Sequence, residues 1–469
     1  MNIIKRLFST AYMVKPDMHR GDIPPSKEAY STSLLIAIPA IIEMVSISLM
    51  DMVDTMMVSR VGPQAMAAVG LTMQPRMIFF SMFFALNIAL TATISRKKGA
   101  GEMDEARSYL RHGLMINVLL GLVLTVLAFF LAQPIMILTG AQPDTLVEAT
   151  SYFRITNLFL IPQVLTMTIC TAQRSIGNTK IALKVNVTAK IISVILNFLL
   201  IEGRLFFPRM EVDGVAWARS IAACVAFAIA LSSLLHKDSP LRIKIQDKWR
   251  FEKPILISLG RLTSNGLLEQ FGFRTGFFLY NRVIASLGTA AFAAHVIASQ
   301  LMMLSFTFAE GIGAATTSLV GQNLGKNRPD LSIMYGKIGM RMAILCAAVL
   351  STTFIFLRFQ FAALFSTPPD PYIITTAGGL ILILAFILPV QTGQLVIGGS
   401  LRGAGDTRYV AYTMLLTVGF LRPFIGFVMA YPLGFGLAGA WIAISVDQAV
   451  RLIMLFARFA RGKWITAKV

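Results

Sequence analysis

Three carboxylates lie inside the first long apolar stretch of the chain, residues 31–60. Glu43, Asp51 and Asp54 interrupt a run that is long enough to cross a bilayer, for which about 20 residues suffice. A carboxylate facing lipid at mid-membrane would cost roughly 3 kcal/mol. At about 100° per residue, Glu43 and Asp54 point in directions about 20° apart and Asp51 lies about 80° away, so the three share one face of a helix. We expect this face to meet protein or water, where a carboxylate can bind a proton or a cation; simple ion pairs within a helix bundle are the alternative.

Pro39 lies one turn before Glu43 in the same stretch. Proline removes a backbone hydrogen bond, so the pattern predicts a kink there. A bendable helix with a one-sided row of acids suggests that the chain handles cations or protons during a conformational cycle. Pro39 is the predicted hinge of that cycle.

The composition predicts a polytopic helical membrane protein. Of 469 residues, 56% are hydrophobic and only 14% are charged, against about 25% charged in soluble domains. The net charge of +19 could suggest nucleic acid, but the basic residues lie between apolar segments. They are better explained as topology signals and contacts to anionic lipid, so no nucleic-acid partner is expected. The three cysteines fall inside apolar segments, and no metal-binding, nucleotide-binding or nucleophile motif is present, so neither an enzyme nor a cofactor is expected.

Hydropathy predicts twelve spans. They lie near residues 31–59, 71–95, 112–131, 151–172, 182–201, 214–235, 255–281, 291–320, 335–357, 374–398, 410–431 and 436–460.

These spans define five predicted regions. A basic tail at 1–30, with a short interfacial helix around Ile3–Met13, precedes a first lobe of six spans at 31–235. A loop at 236–254 leads to a second lobe of six spans at 255–460, and a short tail covers 461–469. Lys and Arg concentrate in the first tail, in the loop after span two and in the 236–254 loop, whereas the loop after span three has none. The positive-inside rule then places both termini in the cytoplasm.

The two halves repeat each other. VGPQAMAAVG at 61–70 aligns with LGTAAFAAHV at 287–296, and RSIGNTK at 174–180 aligns with RGAGDTR at 402–408, at offsets of 226 and 228. Parallel repeats of this kind place a substrate between them near the membrane midplane. At offset 226 Glu43 corresponds to Glu269, whereas Asp51 and Asp54 correspond to Phe277 and Tyr280. Asp51 and Asp54 therefore belong to the first half alone.

Four segments resemble the multidrug and toxic compound extrusion (MATE) family, in particular its NorM-like and DinF-like bacterial branches. They are VDTMMVSRVGPQAMAAVG, LLEQFGFRTGFFLYNRVIASLGTAAFAAH, TSLVGQNLG and LRGAGDTR. The resemblance implies an all-α V-shaped fold of twelve transmembrane helices in two six-helix lobes. It implies export of amphipathic, often cationic, organic compounds in exchange for H⁺ or Na⁺.

The resemblance also implies roles for single residues. Asp54 matches the coupling aspartate of the first helix, Pro39 its bending proline, and Glu269 the seventh-helix glutamate. Two departures could alter substrate range or coupling: Lys190 stands where such sequences have a small polar residue, and Glu310 stands where a neutral residue is expected.

The candidate site residues fall into three groups. The predicted ion-coupling acids, with a possible Na⁺ site at Asp54, are Asp54, Asp51, Glu269 and Glu43. The predicted substrate-binding residues are Glu43, Glu269, Gln163, Gln270, Phe273, Met73, Met77 and Gln391. The residues expected in structural ion pairs are Lys190, Arg274, Arg422, Asp447 and Arg451, with Glu269 and Arg274 as one pair and Asp447 and Arg451 as another at i, i+4 spacing.

The glycine-rich LRGAGDTR segment could suggest a phosphate site, but it lacks the GK[ST] ending of a nucleotide cradle. We interpret it as a tight turn in which Asp406 caps the next helix.

The function expected from these patterns is secondary antiport of small organic molecules across the cytoplasmic membrane by a monomer. The nearest alternative is a flippase for lipid-linked oligosaccharide or polysaccharide. A membrane-embedded acyltransferase is a more distant one, because the four histidines are scattered. The substrates, the coupling ion and its stoichiometry stay open.

Overall fold

The computed structural model describes residues 8–204, 207–244, 246–247, 249–365 and 370–467, and the regular structure in these ranges is helical. The α-helices are α1 Ser26–Ser59, α2 Pro63–Gly99, α3 Met103–Leu138, α4 Leu146–Leu158, α5 Leu160–Ser175, α6 Thr179–Leu200, α7 Glu211–Leu235, α8 Lys253–Ala285, α9 Thr289–Gly325, α10 Pro329–Phe365, α11 Pro371–Gly403, α12 Thr407–Met414, α13 Arg422–Ala430 and α14 Gly436–Ala460. A π-helical segment, Leu415–Leu421, joins α12 to α13.

Each of the twelve predicted spans contains helix. Among the described residues, ten segments are long and apolar enough to cross a membrane, and α4 with α5, bent by 50°, could form one more. The twelfth is α8, whose 33 residues include the charged side chains of Arg261, Glu269 and Arg274. The protein is therefore an all-α membrane protein, as the sequence predicts.

The helices are separated by glycine turns that repeat between the two halves. Gly177 follows α5 and Gly405 follows α11, both at φ +85°, a conformation that glycine adopts at little cost. The N–H of Gly177 bonds to the carbonyl of Arg174 and that of Gly405 to the carbonyl of Arg402, each at 2.9 Å. The chain thus builds the same turn twice, at the offset of 228 that the sequence shows.

The contacts between helices divide the chain into two compact units. The first unit comprises Ile42–Lys98 and Glu102–Gly260, and the second comprises the described residues up to Ile41, Gly99–Gly101 and the described residues from Arg261 onward. Helix α1 contributes to both units, and the division falls two residues after Pro39.

The core of the second unit forms around Trp441, Tyr280 and Phe354, which are nearly inaccessible to solvent. Tyr280 also donates a hydrogen bond from its hydroxyl to the carbonyl of Ala440 (2.9 Å). In the first unit, Tyr152 and Phe153 of α4 are fully buried. Large exposed hydrophobic side chains are frequent on the outer helix surfaces, as expected for helices that face lipid.

The N-terminal segment packs onto the second unit. Of the expected interfacial helix around Ile3–Met13, residues 1–7 lie outside the described ranges, Phe8 is helical, Thr10–Tyr12 form one 3₁₀ turn and Met13 is buried at 1% exposure. Lys337 of α10 donates to the carbonyl of Met13 (2.6 Å). These backbone and core contacts hold the segment in place before α1 begins at Ser26.

Candidate functional site

Asp54 lies on the last turns of α1 and is 3% exposed. Its Oδ1 accepts a hydrogen bond from the Asn197 side chain of α6 (2.8 Å). Its Oδ2 makes no hydrogen bond and lies 3.6 Å from the Lys190 ammonium. One oxygen of the carboxylate is therefore fixed by an amide, while the other is buried beside the Lys190 ammonium without a hydrogen bond.

Lys190 contacts a second acid as well. Its ammonium forms an ion pair with Asp51, whose side chain is 52% exposed. Lys190 thus lies beside Asp51 and Asp54, the two acids of α1 that have no acidic counterpart in the second half of the repeat. When one of two carboxylates that share a lysine is protonated, the ammonium can move toward the carboxylate that is still ionised. The structure brings Asp51, Asp54 and Lys190 together as one cluster of the first unit.

Glu43 is in a different environment, although it shares α1 with the two aspartates. Its side chain is fully buried, and its Oε1 accepts from Arg174 of α5 and from Asn186 of α6, each at 2.6 Å. Its Oε2 has no hydrogen-bond partner. The Glu43 charge is therefore matched within its own unit by a guanidinium.

The second unit contains the counterpart of this pair. Glu269 of α8 is 3% exposed and accepts two hydrogen bonds from Arg402, one of them from Nε at 3.3 Å. Arg402 also interacts electrostatically with Glu310. Since Glu43 corresponds to Glu269 at offset 226 and Arg174 to Arg402 at offset 228, each unit carries the same glutamate–arginine pair. The sequence predicts that Glu269 pairs with Arg274, but in the structure the Glu269 carboxylate is paired with Arg402.

The predicted substrate-binding residues of the first unit differ in their contacts and in their exposure. Gln163 accepts a hydrogen bond from the Arg76 guanidinium (3.2 Å) and donates one to the carbonyl of Thr156. Met73 is 61% exposed and Met77 is 37% exposed on α2. Exposure is shared by many hydrophobic side chains of these helices, so a role of the two methionines in substrate binding stays a prediction.

In the second unit, Gln391 is fully buried and donates to Ser305 Oγ (2.8 Å), so it bridges α11 to α9. Gln270 and Phe273 are half-buried on α8, and the Phe273 ring packs against the Phe277 ring with centroids 5.0 Å apart. These contacts explain Gln391 best as a helix bridge.

Asp447 of α14 forms buried ion pairs with Arg422 and with Arg451. Arg451 Nε also donates to Thr417 Oγ1 (3.1 Å) in the π-helical segment. This triad ties α14 to the π-helical segment and to the start of α13. The Asp447 carboxylate is matched within the triad, as the sequence predicts for structural pairs, and the triad as a whole keeps one positive charge.

Sequence reasoning missed four basic side chains. Arg174 and Arg402 have no predicted partner, although their matching positions in the two repeats are a usable signal. Arg76 and Arg219 are the others; Arg219 donates to the Tyr152 hydroxyl (3.0 Å) and interacts electrostatically with Asp54. For Arg76 and Arg219 the sequence gives no comparable signal, because their hydrogen-bond partners lie 87 and 67 positions away on other helices.

No group of three or more His, Cys, Asp or Glu side chains with metal-site geometry occurs in the described ranges. A Na⁺ at Asp54 would therefore depend on carbonyl, amide and hydroxyl oxygens.

The helices, the internal repeat and the buried charges define a multi-pass membrane transporter. A family model described as MatE matches residues 39–199 and again residues 267–428, which are the two halves of the repeat. Together these matches cover well over half of the chain, which belongs to the MATE family of multidrug efflux transporters, a family of transporters and not of enzymes.

Two curated relatives and one solved structure illustrate this membership. The chain is 28% identical to the multidrug resistance protein PmpM of Pseudomonas aeruginosa over 440 residues (92% of this chain and 91% of that protein). It is 25% identical to the probable multidrug resistance protein NorM of Thermotoga maritima over 435 residues (92% of each). The structure described as the outward-facing conformation of a multidrug resistance MATE family transporter of the MOP superfamily matches with a TM-score of 0.86 at 20% identity (95% of this chain and 97% of that chain). MATE transporters bind small-molecule substrates and act in a membrane.

Proposed function

We propose that this chain is a proton-coupled antiporter that exports amphipathic organic compounds, with Asp54 as the proton carrier. The observation that carries the proposal is the Asp51–Lys190–Asp54 cluster. Asp54 is buried, one of its oxygens is fixed by Asn197, and the other has no hydrogen-bond partner. Such a carboxylate can bind and release one proton without rebuilding its surroundings.

The coupling cycle follows from the charges of the cluster. When Asp54 is ionised, Lys190 is shared between two carboxylates. When Asp54 binds a proton, Lys190 keeps only Asp51 as its counter-ion, and the charge balance of the first unit changes. In the proposed cycle this change alters the bend of α1 at Pro39, expels the substrate outward and is reversed when the proton leaves inward.

Lys190 favours H⁺ over Na⁺ as the coupling ion. Its ammonium already occupies the position of a cation beside Asp51 and Asp54. A Na⁺ placed about 4 Å from this ammonium would be repelled by about 4 kcal/mol at an effective dielectric constant near 20. A proton bound to the open Asp54 oxygen avoids this repulsion because it removes a negative charge.

The available driving force is sufficient for export. A membrane potential supplies roughly 2.3 kcal/mol per charge per 100 mV. Because about 1.4 kcal/mol corresponds to a tenfold concentration ratio, one proton per cycle supports a gradient of about fifty-fold for an uncharged substrate. Exchange of one proton for one monovalent cation moves no net charge, so the pH difference alone drives it.

The proposed setting is the cytoplasmic membrane, with both termini in the cytoplasm and the transporter acting as a monomer. The basic loops support this orientation through the positive-inside rule. PmpM and NorM are named for multidrug resistance, which supports an amphipathic organic substrate. On this proposal Glu43 and Glu269 act as positioning residues, since each is paired with an arginine.

A second candidate is transport of an anionic, lipid-linked substrate. It is favoured by Arg76 and Arg219 of the first unit, neither of which forms an ion pair within 4.0 Å in the described part of the chain. The positive charges of these two guanidinium groups balance negative charges of the same unit. The charges of the unit therefore do not select a cationic or an anionic substrate, and the substrate charge must be measured.

The test is efflux from everted membrane vesicles with a pH gradient or a Na⁺ gradient applied separately. A planar aromatic cation and an anionic amphiphile serve as probes. We expect the wild type to move the cation uphill with the pH gradient alone, Asp54→Asn to lose this uphill transport, and Asp144→Asn, which removes an exposed acid of the same unit, to keep it. Uphill transport by Asp54→Asn, or transport of the anionic probe alone, would refute the proposal.

A further inference from the structure

A recess of about 550 Å³ lies in the second unit, beside the turn between α11 and α12. Its lining combines two arginines, two other polar side chains, a glycine backbone and two apolar groups: Arg261, Arg408, Asn265, Tyr412, Gly405, Leu262 and Ala467. None of these residues belongs to the Asp54 cluster or to the glutamate–arginine pairs. The recess is therefore separate from the residues assigned to transport.

The recess carries two positive charges and no lining carboxylate. Arg261 and Arg408 are exposed, and neither forms an ion pair within 4.0 Å in the described ranges. The guanidinium of Arg408 lies 5.6 Å from the centroid of the Tyr412 ring, which supports the side chain without neutralising it. The acid beside Gly405 in the chain, Asp406, is already paired with Arg458 (2.7 Å).

The backbone around the recess is fixed. Asn265 of α8 donates to Thr407 Oγ1 (3.1 Å) and so joins α8 to the first residue of α12. Asp406 was expected to cap this helix, but its side chain makes no cap hydrogen bond, which corrects that expectation. Gly405, two positions before the first residue of α12, lines the recess, so the start of this helix lies at its edge.

Two arginines, a phenol, an amide and a helix start form a set of donors that suits a phosphate group. Guanidinium groups bind phosphate oxygens in a bidentate manner, and a lysine or a carboxamide does so less well. The side chain of Leu262 and the carbon ring of Tyr412 line the same recess. They provide a surface for the carbon chain that would accompany a phosphate ester.

The internal repeat shows that the recess belongs to the second unit alone. In the first half, the positions of Arg261 and Asn265 are occupied by Leu35 and Pro39 at offset 226. Only the charge of Arg408 has a counterpart, Lys180 at offset 228. A pair of basic side chains that is absent from the matching half is not required by the fold itself.

We propose that this recess is an anion-binding site for a phosphate group, held by Arg261 and Arg408. The phosphate can be the headgroup phosphodiester of an anionic phospholipid or a free phosphate compound. The two sources share the same chemistry at the recess, and the experiment separates them. The proposal does not depend on proton coupling at Asp54.

The test is native mass spectrometry of the delipidated full-length protein in a neutral detergent. Dioctanoyl phosphatidylglycerol is titrated with and without inorganic phosphate, and dioctanoyl phosphatidylcholine provides the zwitterionic comparison. We expect the double variant Arg261→Gln/Arg408→Gln to bind one phosphatidylglycerol fewer than the wild type at the same lipid concentration. Lys180→Gln, which removes a positive charge at the counterpart position, should bind the wild-type number.

The remaining outcomes separate the sources and decide the proposal. Displacement of this one lipid by millimolar inorganic phosphate supports a free phosphate ligand, and resistance to displacement supports a lipid headgroup. The proposal would be refuted if the wild type and the double variant bound the same number of phosphatidylglycerol molecules. It would also be refuted if Lys180→Gln lost as many bound lipids as the double variant. Should the double variant fail to elute as a folded monodisperse protein, the single charge reversal Arg408→Glu gives the same comparison.

Discussion

At the scale of single residues, the first unit contains two kinds of acid. Each of Glu43 and Asp54 has one oxygen without a hydrogen bond, but Glu43 is paired with the Arg174 guanidinium and with Asn186, whereas Asp54 shares Lys190 with Asp51. The first arrangement fixes a helix, and the second allows a change of protonation. The account therefore assigns coupling to Asp54 and positioning to Glu43.

The Lys190 argument predicts a change of ion dependence. Lys190→Asn removes the ammonium between two carboxylates, so Na⁺ should then bind there. We expect NaCl, compared with KCl at equal ionic strength, to raise the unfolding temperature of purified Lys190→Asn by several degrees and to leave that of the wild type unchanged. Lys184→Asn on the same helix is the matched control, because Lys184 is exposed. A Na⁺-dependent shift in the wild type would contradict proton-only coupling.

The glutamate–arginine pairs make a prediction about stability. Glu269→Gln leaves the half-buried Arg402 without its hydrogen-bonded carboxylate, which should cost about 1–3 kcal/mol in the free energy of unfolding. Replacing both residues by methionine should restore most of this loss, because the buried charge is then absent. The measurement is denaturant unfolding in detergent, as a double-mutant cycle.

The control for this cycle is Glu202→Gln, which breaks an exposed pair with Arg204. It should change stability by less than about 0.5 kcal/mol. A single-variant cost for Glu269→Gln as small as that of Glu202→Gln would show that the Glu269–Arg402 pair does not hold α8 in place.

The acids of α1 could be predicted from sequence, but their partners could not. An acid in an apolar run is conspicuous because it is costly there. Arg174 and Arg402 end their helices among other polar residues, where an arginine is ordinary. Only the folded chain shows that each lies beside a glutamate more than 130 positions away.

At the scale of helices, α8 and the π-helical segment make one of the close backbone contacts of the second unit. A Cβ atom on Gly276 would overlap the carbonyl oxygen of Val418, and one on Gly272 would lie 2.9 Å from the Cα of Leu415. Glycines four apart allow the two backbones to touch, as in other membrane helix pairs. π-helical segments are frequent at functional positions, and this one is followed directly by Arg422.

This contact predicts opposite effects for two glycines of one helix. Gly276→Ala should destabilise the protein by about 1–3 kcal/mol, because the Val418 backbone must move. Gly260→Ala on α8 has nothing within 4 Å of its Cβ, so it should be neutral or stabilising by up to about 1 kcal/mol. Thermal unfolding in detergent measures both. Equal effects at the two positions would show that the close contact is absent.

Most helices could be predicted from hydropathy and from glycine turns, since both depend on local sequence. The bend between α4 and α5 and the π-helical segment could not. A π-helical turn inserts no distinctive residue type into the apolar run Leu415–Leu421, and only packing against Gly272 and Gly276 accounts for it. The docking of the N-terminal segment was missed for a related reason, because Met13 and Lys337 meet across 324 positions.

At the scale of the whole molecule, the internal repeat explains why two similar units serve different purposes. Both halves contain the family pattern, the same glycine turn and the same buried glutamate–arginine pair. The Asp51–Lys190–Asp54 cluster occurs in the first half, and the basic recess at Arg261 and Arg408 occurs in the second. The shared features maintain the fold, and the unshared features are those to which we assign activity.

The proposed orientation is testable by chemical labelling. In a background with Cys170, Cys224 and Cys346 replaced by alanine, Asp238→Cys places a thiol in the basic loop and Pro143→Cys places one after α3. A membrane-impermeant maleimide should label Pro143→Cys in intact cells and Asp238→Cys only after permeabilisation. The reverse pattern would invert the orientation and the direction of transport.

The most direct test of the account is whether substrate binding releases a proton from Asp54. Ethidium is added to the purified protein in weakly buffered detergent near pH 7, and the released protons are counted with a pH indicator. The account predicts close to one proton per bound ethidium for the wild type and for Asp144→Asn, and none for Asp54→Asn at equal occupancy. Equal proton release by the wild type and Asp54→Asn would contradict the assignment of Asp54 as the carrier.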